Sequence, residues 1–401
     1  MKEAFIVDGI RTPIGNFRGS LSGIRADDLA AVVMRKLVER NPSIPAEVID
    51  DVIFGTSNQA GDDNRNVARM SLLLAGIPYT VPGETINRLC ASGMSAVFNA
   101  ARAIKAGDGD VFMAGGMEHM TRGPWVISKT SQPFGQDAQM FDSSFGWRFI
   151  NPKMHELYGT DAMGVTAENL AEMYNISRED QDLFAYNSQM KAAAAQQSGR
   201  LAEEITAVEI PNKKGDPTIV SKDEFLKPTT TVEKLGQLKP SFKKTGTVTA
   251  GNASGLNDGA SALYILSGEA VNQYGASPKA RIVSSAVAGV EPRIMGIGPV
   301  PATQKALTKA GLTMNDIDII ELNEAFAAQS LACIRQLGLA DNDPRINPNG
   351  GAIALGHPLG MSGSRIIYSA AMELQKTQKR YALATMCIGL GQGYAVIIER
   401  C

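Results

Sequence analysis

The sequence predicts an α/β fold made of two similar halves with a loop-rich insertion between them. Three observations carry this. The first third alternates apolar, β-capable runs with segments of helical periodicity, which implies a mainly parallel sheet covered by helices. The same order of elements returns after a shift of roughly 270 residues, the sign of an internal duplication. Between about 122 and 247 the texture changes to aromatics and loop residues, then helices, then a Lys- and Thr-rich stretch.

At 401 residues the chain can hold two or three units, each with its own core. With 44% hydrophobic and 20% charged residues and a net charge of -2, it has no basic field that would suggest nucleic acid. Its four cysteines show no Cys-x-x-Cys spacing, which argues against zinc and for free thiols in a reducing compartment. The first strand starts at once, so no signal peptide is expected, and no apolar run approaches membrane-spanning length. A cytoplasmic protein without membrane or nucleic-acid partners is expected.

In chain order, Ala4-Phe-Ile-Val-Asp8 reads as a strand and Arg11-Thr-Pro-Ile-Gly15 as the loop leaving it. Asp27-Asp28 opens a helix carried by Leu29, Val33 and Leu37 and ended by Pro42 and Pro45. Val48 to Gly55 continues into a second strand, Asn64 to Gly76 is a second helix, and Asp110 to Gly116 is a short apolar strand. In the insertion, helices are expected over Asp161 to Tyr174 and Ser177 to Ser198, the latter with a capping-box-like start. Ala280 to Ser284 then repeats the first strand, Pro301 to Ala310 the first helix, and Ile317 to Asn323 lies over Ile49 to Gly55. The expected division is 1-121 for the first half, completed by about 248-270, 122-247 for the insertion, and 271-401 for the second half.

The chemistry centres on Cys90, in Thr85-Ile-Asn-Arg-Leu-Cys-Ala-Ser-Gly. It stands where a strand or loop becomes a helix, and the helix N-terminus is expected to bring its pKa toward neutrality. Alone it reads first as an inert buried thiol, and the stretches that follow reverse that reading. Of three histidines, His357 lies in a glycine-dense loop, Gly356-His-Pro-Leu-Gly-Met-Ser-Gly, whereas His119 reads as structural and His155 as solvent-facing. Cys387 ends a strand before Ile-Gly-Leu-Gly; that stretch alone fits a tight hairpin or a reactive thiol with Gly389 offering its N–H to an oxyanion. Asn323 reads first as a helix N-cap and second as a water-orienting amide. The repeat carries Cys90 to the neighbourhood of His357 and Met117 to that of Cys387, so the halves can bring all three into one pocket.

Asn87-Arg-Leu-Cys-Ala-Ser-Gly, Asn323-Glu-Ala-Phe, Gly356-His-Pro-Leu-Gly-Met-Ser-Gly and Cys387-Ile-Gly-Leu-Gly, in this order, resemble the four signature blocks of the thiolase family. The resemblance covers essentially the whole chain. It implies the thiolase fold: two duplicated mixed-sheet βαβαβαββ halves in five αβαβα layers, with an inserted loop domain. It implies an acetyl-CoA C-acyltransferase in which Cys90 is the acyl-carrying nucleophile, His357 its base and Cys387 the acid/base for the acetyl-CoA carbon. Asn323 would hold a water at one oxyanion, and the N–H groups of Cys90 and Gly389 would face the other. Coenzyme A, a substrate and not a tightly bound cofactor, would meet Ser254, Ala250, Phe242, Met163, Phe326 and Lys227, and no metal is implied. Lys227 stands where an Arg often occurs, keeping the charge without the planar fork.

Asp62 to Arg69 and Met140 to Pro152 resemble the 3-oxoadipyl-CoA thiolases of aromatic-compound degradation. The alternatives are a biosynthetic acetoacetyl-CoA thiolase, disfavoured by Ala162-Met163 where that group has His-Met, and a ketoacyl synthase-type condensing enzyme, disfavoured by Cys387 in place of a second catalytic histidine. The family also implies a homotetramer, a dimer of dimers.

Overall fold

Helix and strand boundaries follow local chemistry. The computed structural model describes residues 2–401, so the first residue of the expected 1-121 half lies outside it. β1 (Ala4–Arg11) takes in Arg11, which the sequence reading gave to a loop, and β2 (Gly15–Asn16) follows. α1 (Ala26–Arg40) stops just before Pro42. β3 (Asp51–Gly55) starts later than expected, because Ala46–Val48 form a 3-10 turn. α2 (Val67–Leu74) begins after Asn66, whose side chain caps it by accepting from Arg69 N at 3.1 Å. β4 (Gly83–Ile86) leads to α3 (Ser92–Ala106), closed by left-handed Gly107, and then to β5 (Val111–His119).

The insertion contributes a ribbon of β6 (Trp125–Ile127) and β7 (Met140–Asp142), then α4 (Pro152–Tyr158), α5 (Met163–Met173) and α6 (Arg178–Gln197). Ser177 caps α6 by accepting from Asp180 N. A second ribbon, β8 (Val208–Ile210) with β9 (Thr218–Val220), and α7 (Val232–Gly236) complete it. The chain returns through β10 (Asn257–Ser267) and α8 (Gly268–Gln273). β11 (Ala280–Gly289), α9 (Pro299–Ala310), β12 (Ile319–Leu322), α10 (Ala327–Gln336), α11 (Ala352–Leu355), α12 (Leu359–Thr377), β13 (Tyr381–Ile388) and β14 (Gln392–Arg400) follow.

The strands run in the order β4-β3-β5-β10-β1 and then β11-β14-β13-β12, with Ile346 bridging to Ile320 beyond β12 where β4 stands beyond β3. The topology therefore repeats as the sequence does. The expectation of a mainly parallel sheet is corrected: only β3–β4, β3–β5 and β12–β13 are parallel, and the other strand pairs are antiparallel. The cause is the last strand of each half. β14 follows β13 through a tight hairpin, which joins only antiparallel strands, and β10 sits beside β5 in the same sense.

The halves meet where β1 pairs β11 over Phe5 and Ile6. Side-chain alternation then builds the layers. Leu263 and Ile265 of β10, with Ala384 and Met386 of β13, enclose α3 and α12 in one core between the sheets. Ala262 and Tyr264 turn outward to α1, and Leu383 and Ile397 turn outward to α9 and α10. The result is helix, sheet, helix pair, sheet, helix.

Candidate active site

The Cys90 turn lies between β4 and α3. Leu89 adopts a left-handed conformation with φ of 47°, uncommon for a branched residue, and the turn is pinned on both sides. Asn87 Oδ1 accepts from Leu89 N at 2.8 Å, while Ser92 Oγ accepts from Arg88 N at 2.9 Å and donates to Leu89 O at 2.7 Å. The backbone N–H groups of Gly389 and of Cys90 itself bear on its sulfur. The expected lowering of the thiol pKa is corrected. Burial pushes Cys90 up to about 11, the two N–H groups offset this only in part, and the nearby Glu118 carboxyl adds to the rise.

His357 sits at the mouth of α12. Gly356, at φ of 104°, turns the chain into it, and a Cβ there would meet Asn257 Cγ at 2.6 Å. The fully buried Asn257 side chain fixes the histidine backbone: Oδ1 accepts from His357 N at 2.9 Å and Nδ2 donates to Gly15 O at 3.0 Å. The imidazole is oriented by Ser362. Ser362 Oγ donates its one proton to Pro358 O at 2.8 Å, so at 2.6 Å from His357 Nδ1 it accepts. That assigns the proton to Nδ1 and leaves Nε2 unprotonated, an acceptor. Asn323 Nδ2 donates to Nε2 at 3.3 Å. Burial, with the charge of Arg365, lowers the His357 pKa to about 3, so the ring is neutral at pH 7.

Asn323 is not a helix N-cap. α10 starts at Ala327 with Phe326 in the capping position, and Asn323 is buried in a short segment after β12. Its Oδ1 has no partner among the described residues. Glu324 beside it is structural: it accepts from Ser188 Oγ at 2.6 Å, Asn347 Nδ2 at 2.7 Å and Ile353 N at 3.1 Å, holding the segment that leads to His357.

Cys387 lies near the end of β13, before a hairpin whose Leu390 and Gly391 are left-handed. The stretch is thus both a hairpin and a site wall. Burial, with the neighbouring Cys90 and Cys333 thiols, pushes the Cys387 pKa well above its usual value.

Cys90, His357 and Cys387 line one cavity of about 390 Å³. All six residues expected to meet CoA line it too: Met163, Lys227, Phe242, Ala250, Ser254 and Phe326. Phe242 and Phe326 pack edge to face with centroids 6.1 Å apart, and Ser254 N donates to Ala325 O at 3.0 Å, tying this wall to Asn323. A second cavity of about 440 Å³ meets the first at Cys90 and is lined by Gly389. His119 is buried with Nε2 3.1 Å from Leu21 O, and His155 is exposed, as expected of both.

Sequence reasoning missed Asn257, Ser362 and Glu118. Ser362 stood inside the His357 block, so its spacing of five residues was the available signal. Glu118 accepts from Ser57 N and Oγ, Asn58 N and Gly360 N, joining three separate stretches that no local pattern connects.

The chain matches the family model described as Thiolase, N-terminal domain over residues 4–269, and that described as Thiolase, C-terminal domain over 276–400. It is 60% identical over 400 residues to the beta-ketoadipyl-CoA thiolase of Escherichia coli, covering 100% of both chains. It is equally 60% identical, with the same coverage, to the 3-oxoadipyl-CoA/3-oxo-5,6-dehydrosuberyl-CoA thiolase of Escherichia coli strain K12. Among solved structures it resembles the acetyl-CoA acetyltransferase of Bacillus anthracis, with a TM-score of 0.93 and 40% identity over 100% of this chain and 99% of that one.

Proposed function

From the premise that this chain belongs to the thiolase family, we propose that its favoured substrate is 3-oxoadipyl-CoA, cleaved with CoA to acetyl-CoA and succinyl-CoA through a succinyl-Cys90 thioester. The enzyme is an acetyl-CoA acyltransferase with CoA as substrate. One observation carries the residue roles: Cys90, His357, Cys387 and the six expected CoA contacts line a single cavity, although they come from distant parts of the chain.

In the cleavage direction His357 Nε2 takes the Cys90 proton as sulfur attacks the 3-keto carbon. The bond between C2 and C3 breaks, and the acetyl-CoA carbanion takes the proton of Cys387. Incoming CoA gives its thiol proton to the Cys387 thiolate and attacks the acyl carbon; the Cys90 sulfur leaves and recovers its proton from His357. The N–H groups of Cys90 and Gly389 stabilise the oxyanion on the acylated carbon. His357, with a water held at Asn323 Oδ1, serves the thioester oxygen of the acetyl-CoA enolate.

The substrate assignment is supported by the full-length 60% identity to enzymes named for 3-oxoadipyl substrates. A homotetramer is the family's expectation; the β6–β7 ribbon, which exposes Trp125 at 72%, Ile127 at 65% and Met140 at 61%, supports a contact between copies without fixing their number. A cytoplasmic setting is supported by four free cysteines; among the described residues no helix is long and apolar enough to cross a membrane. The division into 1-121, 122-247 and 271-401, with 248-270 completing the first half, is supported by β10 pairing with β1 and β5.

The test compares kcat/KM for 3-oxoadipyl-CoA, acetoacetyl-CoA and a medium-chain 3-oxoacyl-CoA, and examines two variants. Cys90→Ser should abolish turnover. Cys387→Ala should still be acylated at Cys90 by acetyl-CoA while losing exchange of the acetyl-CoA α-protons. Parent-like exchange in Cys387→Ala would remove its acid/base role, and a preference for acetoacetyl-CoA would remove the substrate assignment.

A further inference from the structure

We infer that Arg148 binds the terminal carboxylate of a dicarboxylic 3-oxoacyl-CoA, in the second cavity that opens from Cys90. The inference rests on the 3-oxoadipyl-CoA reading above and names the group that would recognise that substrate.

The two cavities share Cys90, Met120, Phe145, Met163 and Leu359, and differ in the polar groups each adds. The first holds His357, Cys387 and Lys227. The second holds Gly389 and reaches Asn58, Ser143, Ser144 and Arg148. Because Cys90 lines both cavities, the second has room for an acyl group bonded to its sulfur while CoA occupies the first. Trp147 lines the second cavity together with Met120 and Phe145, which that cavity shares with the first, an apolar wall suited to methylene groups, and the polar residues belong to the same lining.

Arg148 is the one lysine or arginine on that lining. Its hydrogen-bond partners are neutral: Asn58 Oδ1 at 3.1 Å and, more weakly, Ser143 O at 3.4 Å. Among the described residues no carboxylate lies within ion-pair distance of it, whereas half-buried Arg178, Arg281, Arg335 and Arg345 each have one; half-buried Arg69, Arg88 and Arg400 likewise have neutral partners but do not line this cavity. A guanidinium has five N–H donors in a planar fork, so a face remains for a bidentate carboxylate. The cavity's own carboxyl, Glu118, cannot fill that place, because Ser57, Asn58 and Gly360 already hold it. A half-buried cation with only neutral anchors, on the lining of a partly apolar cavity that also reaches the nucleophile, suits a substrate that ends in an anion.

The experiment measures kcat/KM for 3-oxoadipyl-CoA and for 3-oxohexanoyl-CoA, which has the same six-carbon chain with a methyl end, in the parent, Arg148→Ala and Arg148→Gln. The glutamine variant can still bond Asn58, and its turnover of 3-oxohexanoyl-CoA reports a folded site in the same assay. The parent is expected to prefer 3-oxoadipyl-CoA. Both variants should lose on the order of thirtyfold or more on that substrate alone, the effect of removing one member of a desolvated charge pair. An equal loss on both substrates would make Arg148 a structural residue, and an unchanged preference would remove it from recognition; either result overturns the inference alone. A parent without preference overturns the substrate reading and this inference together.

Discussion

At the scale of single residues, the site holds a neutral pair. The Cys90 thiol stands at about 11 and the His357 imidazole at about 3, both because burial disfavours charge. Ser362 keeps the imidazole proton on Nδ1, so Nε2 is a base that acts only as attack begins. The resting enzyme therefore should not contain a thiolate near neutral pH. Alkylation of Cys90 by iodoacetamide in the absence of CoA should rise about tenfold per pH unit from pH 7 to pH 9, because the thiolate fraction grows throughout that range. A plateau starting near pH 7 would reveal a preformed ion pair of thiolate and imidazolium. The sequence located Cys90 but misjudged its acidity. Position at a helix start is local and legible, whereas the burial that raises the pKa, and the Glu118 carboxyl that adds to it, come from tertiary packing that no local pattern shows.

At the scale of elements, the two reactive loops are set by α3 and α12, which pack backbone to backbone. A Cβ at Gly93 would meet Gly360 O at 2.4 Å, one at Gly363 would meet Met94 N at 2.4 Å, and one at Gly360 would meet Met117 O at 2.2 Å. The glycines around His357 were visible in the sequence as a loop permitting close approach. Their partner was not: Gly360 approaches β5 of the other half. Gly360→Ala should accordingly destabilise the fold by about 1–3 kcal/mol through overpacking. It should also shift His357 against Cys90, with kcat falling about tenfold or more under conditions where the variant is folded. Urea midpoints and kcat measured together test this; parent values for both would show that the helices do not need this contact. Asn323 illustrates the same limit. Its N-cap reading was locally sound, yet the chain starts α10 after Phe326 and spends Asn323 on His357.

At the scale of the whole molecule, the duplication was legible because each half repeats its apolar pattern, but strand direction was not, since β10 reaches its place beside β5 only after the long insertion. What fastens that insertion to the first half is a buried ion cluster. Arg11, only 1% exposed, donates from Nε to Glu204 at 2.8 Å and from Nη1 and Nη2 to Asp223 at 2.7 and 2.9 Å. Burial alone would raise the Glu204 pKa; Arg11 and then Arg200 outweigh it, and the net shift is downward. A carboxylate with a depressed folded pKa contributes stability that is present above its unfolded pKa and is lost as pH falls through the folded value. Arg11→Met should remove the larger of these opposing charges and leave two buried carboxylates, costing about 3–5 kcal/mol near pH 7. Burial then dominates Glu204, so lowering the pH toward 5 should protonate it in the variant and narrow the gap to the parent. Urea unfolding at pH 8, 6.5 and 5 reads both effects. A gap under about 1 kcal/mol, or one that does not shrink with acid, would mean that the insertion is held by its apolar contacts and that the Arg11 cluster only fills space.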